Sequence, residues 1–265
     1  MNMIDIPSIL AQASYYYGGN SDFYYGGAGS MYGGVTLIGM GILFISMLVG
    51  GAVQMGLKNA FNRYSQEPAP LTGAEAARRM LQQNGISDVQ VISTPGRLTD
   101  HYNPVDRTVN LSESVYNEAS VAAIAVAAHE CGHAVQHARA YPWLGLRSSL
   151  VPMVNIGSHL GQLVLFIGLV LLAAGSSTTV AWIGLGLYAT TTLFALVTLP
   201  VEFDASRRAL VWLESSGLAN RVMHGQAGSA LRWAAMTYVA AALSSLAMLL
   251  YYALIILSRT AGNRD

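Results

Sequence analysis

A chain of 265 residues leaves room for one or two domains. Apolar residues make up 53% of it and charged residues 11%, against roughly 25% charged in a soluble domain, so most of the chain is built for a bilayer. Lys plus Arg equals Asp plus Glu at 14 each, which removes the global basic field of a nucleic-acid binder; the one cysteine, Cys131, cannot close an internal disulfide.

Residues 1–34 carry Tyr15-Tyr16-Tyr17-Gly18-Gly19 and Tyr24-Tyr25-Gly26-Gly27, have no Lys or Arg, and read as a disordered low-complexity tail. They lack a basic start and a long apolar run, so a cleaved signal peptide is not expected. Residues 35–57 form the first predicted transmembrane helix. The polar region 58–147 is expected to be a small α+β unit. Thr72-Gly73-Ala74-Glu75 is a capping box that opens a helix ending near Asn84-Gly85. Asp88 to Ile92 alternates like a strand, and Leu98–Tyr102 with Thr108–Leu111 suggests a hairpin about Asn103–Asp106. An Ala-rich helix from about Ser120 to Ala138 follows. Residues 148–201 contain no Asp, Glu, Lys or Arg and are broken at Gly175-Ser176-Ser177-Thr178-Thr179, which predicts a hairpin of two spans at 150–173 and 180–200. A second polar segment (202–232), a fourth span (233–258) and a C-terminal tail (259–265) complete the chain. Twelve of the 14 basic residues lie in 58–147 and 202–232, so the positive-inside rule puts both regions in the cytoplasm and both termini outside.

The Ala-rich helix carries His129-Glu130-Cys131-Gly132-His133, an H-E-x-x-H pattern. Histidines one helical turn apart share a face and can reach one Zn²⁺, with Glu130 beside them to hold a water. A catalytic zinc needs a third ligand, and His137, His101, Asp204, Glu202 and His224 are the candidates. His137 lies eight residues from His129, about 12 Å along a helix, too far to share the ion. Glu202 fits best because it stands where the third span returns to the side of the histidines. A carboxylate that only marks the membrane boundary is the alternative. Cys131 falls on the far side of the helix and reads as a buried thiol. His159, with Asn155 and Gln162 at near-helical spacing, is an ionisable group at membrane depth; hydrogen bonding between spans is the favoured role.

Asp100-His101-Tyr102-Asn103-Pro104, Val109-Asn110-Leu111-Ser112-Glu113, the stretch Val126 to Ala134, and Leu199-Pro200-Val201-Glu202-Phe203-Asp204-Ala205-Ser206 resemble, in this order, the YugP-type neutral zinc metallopeptidases of bacterial membranes. The resemblance covers about residues 35–258, and a more distant one extends to HtpX-type membrane zinc proteases. It implies a four-helix membrane protein with a small zincin-like α+β catalytic region on the cytoplasmic face of the bacterial inner membrane. It also implies one Zn²⁺ per chain on His129, His133 and Glu202, with Glu130 as catalytic base. The implied substrates are peptides or membrane proteins, in contact with lipid, and a homo-oligomer is compatible with the sequence. Wider glutamate-zincins often place an aspartate one turn after the ligand glutamate to orient the first histidine. Here that position is Ser206, so Ser206, Asp204 or a backbone carbonyl would take the role. Val109, Asn110 and Leu111 are expected either to pair with an extended substrate or to form a plain structural edge. Tyr102, His101, His224, Arg232 and Tyr238 are the available oxyanion donors. The rival readings are a non-catalytic scaffold with structural zinc, a transporter built around His159, and a protease cutting within transmembrane segments. The absence of aspartate from the spans argues against the last.

Overall fold

A computed structural model describes residues 29–262, with side chains from 37 to 260. The elements run α1 (Gly29–Tyr64), α2 (Gly73–Gln83), β1 (Gln90–Thr94), β2 (His101–Asn103), β3 (Thr108–Ser112), α3 (Glu113–Asn117), α4 (Val121–Ala138), α5 (Pro142–Ala173), α6 (Thr179–Ser215) and α7 (Arg221–Gly262). Among the described residues α1, α5, α6 and α7 are long and apolar enough to cross a membrane. The low-complexity reading of residues 1–28 and the last three residues of the tail lie outside the described residues. Residues 29–34, expected in the tail, already belong to α1.

The chain divides into two compact units, one of them made of Ala52–Ser149 and Val197–Val239. Its order follows from local signals in the sequence. Thr72 Oγ1 accepts from the Glu75 backbone N–H at 3.2 Å while Glu75 Oε2 accepts from the Thr72 N–H at 2.8 Å, so the capping box satisfies two helix-end donors. Gly85, at φ 73°, takes the left-handed conformation that ends α2. β2 and β3 pair antiparallel, with Tyr102 opposite Val109, and β1 pairs parallel with β3, giving the order β1-β3-β2. Ser120 caps α4 by accepting from Ala123 N–H at 3.2 Å. α4 is buried nearly all round, as an apolar helix inside a core must be. Its alanines pack with Met80 and Leu81 of α2, Val109 and Leu111 of β3, Val115 of α3, and Leu213 of α6. Cys131 is buried here, its thiol directed at Ala77 O.

The second unit holds the described residues through Gly51, Leu150–Leu196 and those from Ala240 onward. Within it α5 and α6 approach closely at small residues. A Cβ on Gly168 would stand 2.4 Å from Ala181 Cα, and one on Gly184 2.3 Å from the Leu165 backbone N. Thr192 and Ser245 link α6 to α7 through their hydroxyls at 2.7 Å. Large apolar side chains such as Leu163, Phe166 and Leu254 stand exposed on the outer surface of this unit, as lipid-facing residues do. Asn155, His159 and Gln162 are exposed along α5. The interhelical hydrogen bonding expected of His159 is therefore not made with the described residues of this chain.

The helices run further than the predicted spans. α6 has 37 residues, about 55 Å at 1.5 Å per residue, against a hydrocarbon thickness of roughly 30 Å. Residues 202–215, expected as part of a separate polar segment, continue the helix of the third span, with Pro200 inside it.

Candidate metal centre

The site is assembled from α4 and α6, both contributing to the first unit. The helical period puts His129 and His133 on one face of α4, their rings edge-to-face with centroids 4.9 Å apart. Glu202 meets them from α6: its Oε2 lies 3.3 Å from His129 Nε2 and 3.7 Å from His133 Nε2. Ligand atoms held ~2.0–2.1 Å from a common tetrahedral centre stand about 3.3 Å apart, so the spacing suits zinc. Close approach of the two helices depends on Gly132, where a Cβ would fall 2.6 Å from the Ala205 carbonyl oxygen.

The surroundings fix what these atoms present. His129 Nδ1 is 3.1 Å from Ser206 Oγ, and His133 Nδ1 is 3.0 Å from Gln136 Oε1. With Nδ1 of each ring engaged, both Nε2 atoms face Glu202. Glu202 is 3% exposed, and its Oε2 has no hydrogen-bond partner among the described residues. A buried carboxylate oxygen turned towards two ring nitrogens is an unsatisfied cluster until a cation enters it. His129, His133 and Glu202 together can hold a metal ion, and the donor set of two imidazoles and a carboxylate fits zinc.

Glu130 follows His129 on α4 and is buried. Its Oε2 accepts from the Tyr102 backbone N–H at 3.1 Å, tying it to β2. Burial pushes the Glu130 carboxyl up to about 7 against the pull of His129, with the Asp100 and Glu202 carboxylates adding to the rise. Asp100 is itself buried and raised by desolvation, and it accepts from Ser112 N–H at 2.7 Å.

The other expected residues are distributed as follows. His137 lies off the cluster, 2.7 Å from the Tyr102 hydroxyl, and His101 Nδ1 is 2.8 Å from Thr99 O. His224 and Arg232 lie on α7, and neither belongs to the His129–His133–Glu202 group. The Tyr238 hydroxyl hydrogen-bonds Glu202. Asp204 accepts from Gln136, Arg207 and Arg208. Val109, Asn110 and Leu111, expected to pair with substrate or to form a structural edge, all lie on β3. β3 is the central strand with both edges occupied, and all three side chains are buried. Beside Glu130, the edge strand is β2. Gln136 went unremarked in the sequence, although an amide three residues after His133 in an otherwise Ala/Val-rich helix was a readable signal.

The profile of the family described as "Putative neutral zinc metallopeptidase" matches residues 39–257. The chain is similar to the "Putative membrane protease YugP" of Bacillus subtilis (strain 168), with 44% identity over 207 residues that span 77% of this chain and 90% of that protein. No solved structure gives a significant match. A profile reaching across all four long helices, and a two-histidine, one-carboxylate cluster suited to zinc, lead to one conclusion: the chain belongs to the neutral zinc metallopeptidase family.

Proposed function

We propose that the protein is a membrane-embedded zinc endopeptidase of the glutamate-zincin type, with its site at the cytoplasmic membrane face. The observation that carries the reading is the convergence of His129 Nε2, His133 Nε2 and the unpartnered Glu202 Oε2 beside a buried carboxyl. His129, His133 and Glu202 would hold one zinc, and Glu130 is the general base. Bound zinc supplies the Lewis acidity that activates water and polarises a peptide carbonyl. Glu130 takes the proton shed by the attacking water and returns it to the leaving amine. Burial of this carboxyl favours its neutral form, so it would hold the accepted proton until the amine leaves. The Tyr102 N–H holds one Glu130 oxygen in place and leaves the other to face the reacting atoms. We assign the oxyanion donor to Tyr238, whose hydroxyl would turn from Glu202 to the developing charge. An extended peptide would lie along the outer edge of β2, next to the base, where backbone pairing gives affinity without demanding a sequence. A zinc-holding scaffold would have no use for a buried, anchored carboxyl beside the metal ligands.

Glu130→Gln tests this reading. The variant keeps the shape of the side chain and should still bind one zinc per chain. Peptide cleavage should fall by about 10²–10⁴-fold, the usual worth of a positioned acid–base group. Cleavage at the wild-type rate would remove Glu130 from the mechanism.

A further inference from the structure

Gln136 has no exposed surface and no expected role, yet every polar atom of its side chain is engaged. Its Nε2 donates to the Val201 carbonyl oxygen at 2.8 Å and to Asp204 Oδ2 at 3.0 Å. Its Oε1 lies 3.0 Å from His133 Nδ1. Both partners of the amide nitrogen are acceptors only. A carbonyl has no proton to give, and the Asp204 carboxylate is held ionised by Arg207 and Arg208. The amide therefore has one orientation, with its oxygen towards His133. An oxygen there accepts, so His133 must carry a proton on Nδ1, which leaves Nε2 as the ring atom that faces Glu202 and is free to take a metal. Val201 and Asp204 flank the ligand Glu202 on α6, so the same amide also ties the histidine helix to the carboxylate helix.

We propose that Gln136 is the positioning residue of the second histidine. It reads the arginine-paired Asp204 and the Val201 carbonyl on one side and fixes the tautomer and ring plane of His133 on the other. The proposal rests on the zinc reading of the site and adds a residue to it. The Ser206 hydroxyl pairs with His129, so each metal-facing histidine has its own partner, a hydroxyl for the first and an amide for the second. Partners of this kind commonly change metal affinity by about 10–100-fold.

The test uses full-length protein in detergent, compared with Gln136→Leu, which keeps the bulk of the side chain and loses both its polar ends. Zinc affinity is measured by competition with a chelator at a temperature where the metal-free variant is folded by circular dichroism. Gln136→Leu should bind zinc 10–100-fold more weakly than wild type; binding within threefold would overturn the proposal. An independent measurement needs no Gln136 variant. In metal-free wild-type protein with ¹⁵N-labelled histidine at pH 8, the His133 ring, identified as the signal missing from His133→Gln, should be protonated at Nδ1. Protonation at Nε2 with Nδ1 bare would overturn the proposal even if the variant failed to fold. Wild-type protein that binds no zinc at all would remove the metal reading itself, an outcome separate from equal binding by wild type and variant.

Discussion

Glu130 shows how burial sets the chemistry of a single residue. In the folded protein without metal its carboxyl is pushed up to about 7 from 4.5, chiefly by desolvation. A raised carboxyl means that the folded state holds a proton the unfolded chain releases. The resulting stability is fully present below pH 4.5 and is lost as pH rises through about 7. At ~1.36 kcal/mol per pH unit, the loss amounts to roughly 3 kcal/mol. Glu130→Gln has no such proton to lose. With zinc chelated, the variant should melt above wild type at pH 8, and the gap should close as pH falls to 4.5. Parallel melting curves across this range would mean that Glu130 is ionised throughout. In the proposed mechanism, the same desolvation that destabilises the empty site near neutrality would help Glu130 return its proton to a leaving amine.

At the scale of elements, the site depends on how closely α4 meets α6. Gly132 stands between the two histidines, and any Cβ there would strike backbone rather than a side chain that could swing aside. Gly132→Ala should therefore push the helices apart, costing about 1–3 kcal/mol or more in thermal unfolding and weakening zinc binding with it. Gly145→Ala on α5, where a Cβ meets nothing within 4 Å, should be neutral or stabilising by up to about 1 kcal/mol. Equal effects of the two substitutions would show that close approach at Gly132 is not what builds the site. These elements also mark what the sequence could reveal. The histidine pair and the neighbouring Glu130 were legible because their placement depends only on helical period. Glu202 was legible because a charge ending an apolar run reports the side of the membrane to which it returns. Gln136 stands out in sequence only as an amide near His133; its role was not legible, since its partners lie 65 and 68 residues away on another helix. The alternation of Thr108 to Ser112 identifies a strand but not its neighbours, so β3 passed for an edge although β1 crosses over to pair with it. Apolar runs mark the thickness of a bilayer, whereas helices end only where capping or glycine ends them. That is why α6 continues past Glu202 to Ser215, with Gly217 at φ 69° just beyond.

For the molecule as a whole, the distribution of charge predicts an orientation that can be tested. The histidine helix and the Glu202 segment must share one side, and with twelve of the 14 basic residues in those two regions the positive-inside rule predicts that this side is the cytoplasm. The single native cysteine suits a direct test. Cys131 is buried, and burial pushes its thiol up and away from the reactive thiolate, so an introduced surface cysteine would dominate labelling. Ser177 lies exposed at the α5–α6 turn and Arg97 lies exposed between β1 and β2. In right-side-out membrane vesicles a charged, membrane-impermeant maleimide should modify Ser177→Cys and spare Arg97→Cys. In inverted vesicles the pattern should exchange. Labelling of Arg97→Cys from the outer face would turn the site away from the cytoplasm and confine its substrates to the opposite compartment. Labelling of both from one face would break the even count of crossings that brings Glu202 back to the histidines.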